Sequence, residues 1–208
     1  YSSAASDVYK RQMYGIEERK KCLLDQTELF VIDMDGTFYC GEKMIDGALD
    51  FLKAVVKRGK QFLFFTNNTS RAPEEYIEKL HRMGCDISRS QIMTAGDVTI
   101  RYLKTYYGDQ RVYLMGTPQL ERQFADAGIR LSEDDAEIVM TAFDMTLTYE
   151  KLDRGCRLIR EGASFMATHP DINCPVEGGF LPDCGAICAA ITLSTGCLLY
   201  TSPSPRDA

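Results

Sequence analysis

Two aspartates follow a short apolar run near the start of the chain. Leu29-Phe30-Val31-Ile32 leads directly into Asp33-Met34-Asp35-Gly36-Thr37. An apolar run of this length that ends in a turn signal predicts a buried strand of a parallel sheet. Residues i and i+2 of an extended segment share a face, so the carboxylates of Asp33 and Asp35 can converge on one metal ion or substrate. Open α/β sheets bind ligands just beyond such strand ends; a surface turn that merely ends a strand is the alternative interpretation.

A second polar cluster follows the next predicted strand, Gln61–Phe65. The cluster is Thr66-Asn67-Asn68-Thr69-Ser70-Arg71, and it precedes a predicted helix. Hydroxyl and backbone N–H groups at such a position suit an anion, although Thr-Asn-Asn is also ordinary turn chemistry. Neighbouring parallel strands would bring Asp33 and Thr66 to the same edge of the sheet. The two clusters together therefore predict an anion site beside two carboxylates.

Strand and helix patterns alternate around these clusters. Apolar spacing and capping residues predict helices over residues 47–58, 72–83, 94–106, 118–127, 148–160 and 184–193, and further strands over 111–115, 136–141 and 163–167. This alternation predicts an α/β fold with a doubly wound, Rossmann-like parallel sheet. A second strand–helix series starts near Ile92, so we predict a domain boundary near residues 88–96, with 13–91 in the first unit and 92–196 in the second.

Both ends of the chain have a sequence that points to foreign DNA. Codons for Asp7–Gln12, read as their reverse complement in another frame, encode Cys197–Ser202. One inverted DNA repeat translated from opposite sides produces this pattern. We therefore interpret residues 1–12 and 197–208 as adapter-derived and exclude them from the fold. The remaining 184 residues allow one large domain or two small ones, and an amphipathic segment that runs straight into the second foreign stretch predicts a truncated fragment.

Composition argues against several classes of function. The net charge of −6 is unlike that of a nucleic-acid-binding protein, which favours a basic patch. No apolar run approaches the roughly 20 residues that cross a membrane. The cysteines form no CxxC pair or Cys/His cluster, so a zinc site is not expected. Seven of them lie between Met13 and Gly196, and no signal peptide follows Met13, which favours a reducing cytoplasm.

These motifs resemble the haloacid dehalogenase-like hydrolases, and more narrowly their NagD or 4-nitrophenyl-phosphatase branch. The clusters at Asp33 and Thr66 are similar to motifs of the superfamily. Three later segments are similar to the inserted cap of the branch: Leu147–Leu152, Ala167–Asp171 and Gly178–Gly185. The resemblance implies an incomplete catalytic core over residues 13–91 and an α/β cap of the C2 type over residues 92–196.

The resemblance implies a Mg²⁺-dependent phosphomonoester hydrolase that works through an aspartyl-phosphate intermediate. Asp33 would be the nucleophile and Asp35 the general acid and base. Mg²⁺ would be bound by the Asp33 carboxylate and the Asp35 backbone carbonyl. Thr66 would bond a phosphoryl oxygen, assisted by the backbone of Asn67 and Asn68.

The cap is expected to close over the site and contact the leaving group. His169 and Asp171, which follow the strand predicted over residues 163–167, are the candidates for this contact. Members of the branch more often carry Asn where His169 stands, and a surface or helix-capping histidine is the alternative. The expected partner is a small phosphorylated metabolite, a sugar phosphate or a nucleoside monophosphate, with no nucleic acid or membrane. Assembly of like subunits through the cap is left open.

The resemblance also predicts two motifs beyond Gly196, a lysine that neutralises the aspartyl-phosphate and an acidic loop that completes the metal site. Residues 197–208 stand in their place, so we expect the parent protein to be a phosphatase and this chain to be inactive or nearly so. A non-catalytic phosphate-binding α/β module and a phosphomutase are the alternatives. The two intact carboxylates argue against the first, and the large insert after Thr66 argues against the second.

Overall fold

The computed structural model describes residues 18–176 and 178–201. Helix α1 occupies residues 18–26. The other α-helices are α2 (Ala48–Lys57), α3 (Pro73–Arg82), α4 (Ala95–Tyr106), α5 (Pro118–Asp126), α6 (Tyr149–Arg160) and α7 (Cys184–Thr195). The strands are β1 (Leu29–Asp33), β2 (Tyr39–Cys40), β3 (Lys43–Met44), β4 (Gln61–Thr66), β5 (Ile92–Thr94), β6 (Val112–Met115), β7 (Ile138–Thr141), β8 (Ser164–Ala167), β9 (Asn173–Val176), β10 (Gly179–Pro182) and β11 (Tyr200–Thr201).

The first sheet is parallel and has the order β1-β4-β5. Asp33 pairs with Phe65, so the carboxyl ends of β1 and β4 lie side by side. Residues from β4, α2 and α3 share one core cluster with the segment that follows β1: Met34, Phe38, Tyr39, Leu52, Val55, Phe62, Phe64, Tyr76 and Leu80. The opposite face is less covered, since Val31 is 61% exposed and Phe65 is 37% exposed. The apolar run predicts burial on both faces, and the described residues bury mainly one.

The second sheet is parallel, with the order β11-β8-β7-β6. One of its faces packs on α6 and α7 through residues such as Val139, Phe165 and Ile191. The other face packs on α4 and α5 through residues such as Leu103, Phe124 and Ile138. Every residue of β6 and β7 is buried because helices cover both faces. This arrangement confirms the predicted α/β class with a doubly wound parallel sheet.

The two sheets change over between β5 and α4. Strand β5 pairs with β4 in the first sheet, and Thr66 lies opposite Thr94. Helix α4 packs on the second sheet through Ile100 and Leu103. The two sheets therefore change over at Thr94, within the interval 88–96 predicted for the boundary, although β5 itself belongs to the first sheet. The division into domains at this place stays a prediction. Strand β5 was not predicted, because a three-residue strand joined directly to a helix has too little apolar sequence to be recognised as a strand.

Two antiparallel hairpins were not predicted. Strands β2 and β3 pair just after the aspartates, and β9 pairs with β10 before α7. Each of these strands has only two to four residues, and β9 contains Pro175, which lacks the N–H of a regular strand residue. Their sequences therefore carry too little alternation to be read as strands.

The predicted foreign segments are described only in part. Residues 1–12 lie outside the described residues, and of 197–208 only 197–201 lie within them. Strand β11 belongs to this segment and pairs in parallel with Met166 and Ala167 of β8. Foreign origin of the two segments stays a prediction. Within the described ranges, no helix combines the length and the apolar character that crossing a bilayer requires.

Candidate active site

The two polar clusters lie at adjacent strand ends. Asp33 is the last residue of β1 and Thr66 is the last residue of β4. A cleft of about 450 Å³ opens beyond these ends. Its walls contain most of the residues that the sequence predicted for the site: Asp33, Asp35, Asn67, Asn68 and Asp171. The fold thus brings residues that are more than a hundred positions apart in sequence into one cleft.

The turn that carries the aspartates is fixed by its own hydrogen bonds. The carbonyl of Met34, a fully buried residue, accepts from the backbone N–H groups of Phe38 (2.9 Å) and Tyr39 (3.1 Å). Gly36 has a φ of 82°, which favours glycine because a side chain is strained there. The Thr37 hydroxyl donates to Asp33 Oδ2 at 2.9 Å. The turn therefore orients the Asp33 carboxylate before any ligand binds.

Asp35 occupies a less solvated position. Burial raises the pKa of its carboxyl group, and the neighbouring Asp33 carboxylate raises this pKa further. The Lys79 ammonium, the Arg71 guanidinium and the Tyr39 hydroxyl act in the opposite direction, and the pKa stays above its ordinary value. A carboxyl group with a raised pKa retains a proton more readily, which is what a general acid requires.

The aspartates also fit the donor set of a hard divalent cation. Asp35 Oδ2 is buried and makes no hydrogen bond to the described residues. Asp33 supplies a second carboxylate in the same cleft. Mg²⁺ is typically bound by one or two carboxylates together with water and substrate oxygens. No group of three or more His, Cys, Asp or Glu side chains suited to a metal occurs within residues 18–176 and 178–201, so this part of the chain offers a partial ligand set.

The turn after β4 is organised around Thr66 and Asn68. Thr66 is fully buried, and its hydroxyl accepts from the Asn68 backbone N–H at 3.2 Å. Asn68 Oδ1 accepts from both the N–H (3.0 Å) and the hydroxyl (2.7 Å) of Ser70. The Tyr76 hydroxyl donates to the Asn68 carbonyl at 3.1 Å. These hydrogen bonds shape the turn, while the Asn68 side-chain amide also lies 3.9 Å from Cys174 Sγ. Phosphate binding by the Asn68 backbone stays a prediction.

The second domain contributes Asp171 to the cleft, while His169 lies behind the cleft wall. Asp171 Oδ2 accepts a hydrogen bond from the Asn67 side-chain amide. His169 is only 7% exposed, and its ring nitrogens contact Thr168 Oγ1 and Asp183 Oδ1, each at 2.9 Å. Burial opposes protonation of His169, but the hydrogen bond and charge of Asp183 outweigh it and raise the pKa of the imidazole. Substrate contact by either residue stays a prediction.

Lys79 is a site residue that the sequence analysis missed. Only 5% of it is exposed, and its Nζ lies 3.8 Å from the centre of the Tyr39 ring and 3.8 Å from Glu42 Oε1. Burial lowers the pKa of its ammonium group. The signal was present in α3, where Lys79 follows the buried Tyr76 by three residues and so lies on the same helical face. A lysine inside a buried stripe points to a specific charged partner.

The hairpin of β9 and β10 supplies further cleft residues that the sequence did not indicate. Asn173, Cys174 and Pro175 of β9 line the cleft with Asp183. Burial raises the pKa of the Cys174 thiol to about 11, so this group remains a neutral thiol near pH 7. The sequence contains no signal for Asn173, Cys174 and Pro175, because their position depends on the unpredicted hairpin. Asp183 lies in the segment Gly178–Gly185, whose sequence resembles the cap.

Comparison with known families agrees with this geometry. A model described as haloacid dehalogenase-like hydrolase matches residues 30–130. This range includes the aspartate turn, the turn after β4 and the beginning of the second sheet.

Curated relatives of the chain include one named for sugar phosphates and one named for nucleotides. An acid sugar phosphatase of Staphylococcus haemolyticus is 36% identical over 168 residues, which are 80% of this chain and 64% of that protein. The 5′-nucleotidase YutF of Bacillus subtilis is 34% identical over 167 residues, 80% of this chain and 65% of that protein. The chain therefore spans slightly less than two thirds of these relatives.

Solved structures share the fold over most of the chain. The crystal structure of a 4-nitrophenylphosphatase from Thermotoga maritima aligns with a TM-score of 0.83 and 43% identity, covering 86% of this chain and 69% of that one. A glycerol phosphate phosphatase of Mycobacterium tuberculosis in complex with calcium aligns with a TM-score of 0.80 and 28% identity, covering 88% of this chain and 55% of that one.

Proposed function

The chain belongs to the haloacid dehalogenase-like hydrolases, and on this premise we propose that it carries the nucleophile and the general acid–base of a phosphomonoester hydrolase. The observation that carries the proposal is the pair of carboxylates, Asp33 and Asp35, in one cleft beside the turn after β4. The two carboxylates occupy different environments, as two different chemical roles require.

In the proposed reaction, an Asp33 carboxylate oxygen attacks phosphorus, and the bond from phosphorus to the leaving alkoxide breaks. Asp35 gives its proton to the leaving oxygen. Asp35 then takes a proton from the water that attacks the aspartyl-phosphate, and this second step releases phosphate and restores Asp33. The raised pKa of Asp35 and the hydrogen bond from Thr37 to Asp33 support this division of roles.

We further propose that the carboxylate of Asp33 and the backbone carbonyl of Asp35 hold Mg²⁺. When bound, the ion would supply positive charge between an anionic nucleophile and an anionic phosphate. The position of Asp33 and Asp35 in one cleft supports this assignment, because Mg²⁺ prefers hard oxygen ligands. The calcium complex of the mycobacterial relative supports a divalent cation in the family.

The substrate class that we propose is a sugar phosphate or a nucleoside monophosphate. Relatives named for each of these classes support the choice. A cleft of about 450 Å³ with amide and carboxylate groups on its walls suits a small polar leaving group rather than a macromolecule. All eight cysteines are free thiols, which suits the cytoplasmic location that we propose.

The test is hydrolysis of 4-nitrophenyl phosphate in the presence of Mg²⁺. It is measured on this chain and on the predicted parent protein, the longer protein expected to carry the lysine and the acidic loop after Gly196. We expect turnover by the parent protein. Asp33→Asn should reduce kcat by at least about 10³-fold because it removes the nucleophile. Asp35→Asn should reduce kcat by roughly 10²- to 10⁴-fold because it removes the proton donor. Asp109→Asn, at an exposed turn after α4, is the matched control and should retain full activity.

Phosphate binding without turnover in the parent protein would favour the non-catalytic module, and turnover that survives Asp33→Asn would contradict the proposed nucleophile. This chain should show little turnover in the same assay. Clear turnover by this chain that disappears with Asp33→Asn would contradict the expected inactivity and would support the proposed function.

A further inference from the structure

The turn after β4 contacts the second domain at two places. Two buried hydrogen bonds join the domains. The Thr117 hydroxyl donates to the Ser70 carbonyl at 3.2 Å, and the Phe143 N–H donates to the Thr69 hydroxyl at 3.0 Å. Separate contacts lie at the cleft, where the Asn67 side-chain amide donates to Asp171 Oδ2 and the Asn68 side-chain amide lies 3.9 Å from Cys174 Sγ. Asn67 and Asp171 both line the cleft, so the hydrogen bond between them spans it.

The loop that carries Asp171 is held from behind by the start of α7. The Gly185 N–H donates to the Asp171 carbonyl at 2.7 Å, and the Asp183 N–H donates to the Ile172 carbonyl at 2.9 Å. A Cβ atom on Gly185 would lie 2.2 Å from the Pro170 carbonyl oxygen, a distance that no real contact allows. The loop backbone therefore lies directly on the helix, and a side chain at position 185 would displace it.

His169 makes a further link between the same loop and the start of α7. Its imidazole lies between Thr168 Oγ1 and Asp183 Oδ1, and the same Asp183 oxygen accepts from the Cys184 N–H at 2.6 Å. His169 and Asp183 are both buried, so water does not compete for their hydrogen bond. The imidazole thus links the end of β8 to the first residue of α7.

We propose that Asn67 and Asp171 form a latch that holds the second domain against the first across the cleft, and that His169 is a positioning residue for this latch. A bond between an amide and a carboxylate is charge-assisted and is strongest when both partners are held in place beforehand. The rigid support behind Asp171 supplies this condition. In this proposal the Asn67 side chain binds Asp171 of the second domain, and the Asn67 backbone remains available to bind phosphate. Only the phosphate-binding role of the backbone rests on the proposed function.

The latch is tested by hydrogen–deuterium exchange on the full chain without substrate. Asp171→Ala should speed exchange of backbone amides in residues 67–70 and 170–173 by about two- to tenfold, because one solvent-exposed hydrogen bond is lost. Asp171→Asn retains an acceptor oxygen and should restore most of the protection. Asp109→Ala, which removes another exposed carboxylate of the second domain, should leave both segments unchanged.

Two combinations separate a latch from general loosening of the fold. Asn67→Ala should speed exchange as Asp171→Ala does, and the double variant should be no faster than either single variant. His169→Gln should speed exchange when it is the only substitution, and it should add nothing when Asp171 is already alanine. Circular dichroism of each variant should show that the fold is kept. Additive effects of Asn67→Ala and Asp171→Ala would overturn the latch.

Other results would also count against the proposal. An Asp171→Ala variant that exchanges no faster than Asp109→Ala would overturn the latch, and an equal effect of His169→Gln in both backgrounds would overturn the positioning role. Because no substrate is used, these outcomes are independent of the phosphatase assay. A parent protein without turnover would therefore refute the proposed function and leave the latch measurement valid.

Discussion

Asp35 is influenced by charged groups of both signs. The Asp33 carboxylate and burial both disfavour its ionised form, while Lys79 and Arg71 favour it. Lys79 had no role in the sequence analysis, and Arg71 entered it only as the last residue of the polar cluster after β4. The net effect is a carboxyl group whose ionised form is less stable in the folded protein than in water, so the residue that serves the chemistry weakens the fold.

Asp35→Asn should therefore stabilise the chain at neutral pH. The pKa of Asp35 is raised in the folded state above its ordinary value of 3.8. The stabilisation that the protonated carboxyl group gives to the folded state is therefore complete below pH 3.8, and it is lost as the pH rises through the folded-state pKa. Asparagine has a similar shape and no charge to desolvate. Urea unfolding without divalent cations should show a higher free energy of unfolding for the variant at pH 7.

The gain from Asp35→Asn should shrink as pH falls from 7 toward the ordinary pKa of 3.8, because the carboxyl group of the unsubstituted chain takes up a proton as the pH passes through its raised folded-state pKa. Asp109→Asn should show no comparable change at an exposed position. A gain that does not change with pH would mean that ionisation of Asp35 is not its cause.

Cys174 should react slowly with thiol reagents although it lines the cleft. It is 8% exposed and its pKa is raised to about 11 by burial, so little thiolate is present at pH 8. Cys22 and Cys40 are exposed free thiols and provide internal comparison. Mass spectrometry after brief treatment with iodoacetamide should find Cys22 and Cys40 labelled well before Cys174. Equal labelling rates would show that the β9–β10 hairpin opens readily.

At the scale of elements, α7 both supports the second sheet and forms the back of the cleft. Ile187 and Ile191 pack into the core cluster on one face of that sheet. Asp183 caps the helix by accepting from the Cys184 N–H, and Gly185 lets the following turn lie against the loop that carries Asp171. A single helix start therefore determines where a loop of the cleft lies.

Gly185→Ala should destabilise the chain by about 1 to 3 kcal/mol, because the added methyl group meets backbone oxygen rather than a flexible side chain. The matched variant is Gly179→Ala, where nothing lies within 4 Å of the added Cβ. Urea unfolding of both variants measures the difference. An equal effect at the two positions would show that the close approach at Gly185 can relax without cost.

The helices and most of the central strands were predictable because their signals are local. Residues 148–160 were predicted as a helix and Tyr149–Arg160 is helical, with Thr148 as its cap accepting from the Lys151 N–H. The predicted strand 136–141 begins two residues late, at Ile138. The hairpins β2–β3 and β9–β10 were not predictable in this way, because very short antiparallel strands are held by each other rather than by their own sequence pattern.

At the scale of the whole molecule, the two sheets differ in how completely they are covered. Helices cover both faces of the second sheet. In the first sheet, Leu29 and Val31 of β1 and Phe65 of β4 remain 48%, 61% and 37% exposed. Within the described residues β1 pairs only with β4, so one edge of this strand is open. An apolar face beside an open edge favours self-association.

We expect this chain to bind the apolar dye anilinonaphthalene sulfonate and to self-associate as its concentration rises. Leu29→Lys should reduce both effects, because it places a charge on the exposed apolar face beside the open edge. Leu193→Lys is the matched control, since Leu193 is 87% exposed but belongs to α7. Dye fluorescence and sedimentation velocity provide the measurement. Equal effects of the two lysine variants would show that β1 is not the surface involved.

The sequence by itself determined the α/β class, the family and the positions of Asp33, Asp35 and the turn that starts at Thr66. These features depend on residue type and spacing along a few neighbouring positions, which the sequence displays directly. Only the tertiary structure decided that Asp171 meets Asn67 across the cleft, that His169 lies buried behind it and that Lys79 lies beside Tyr39 near Asp35. Such contacts join residues far apart in sequence, and their existence depends on how two sheets and their helices pack together.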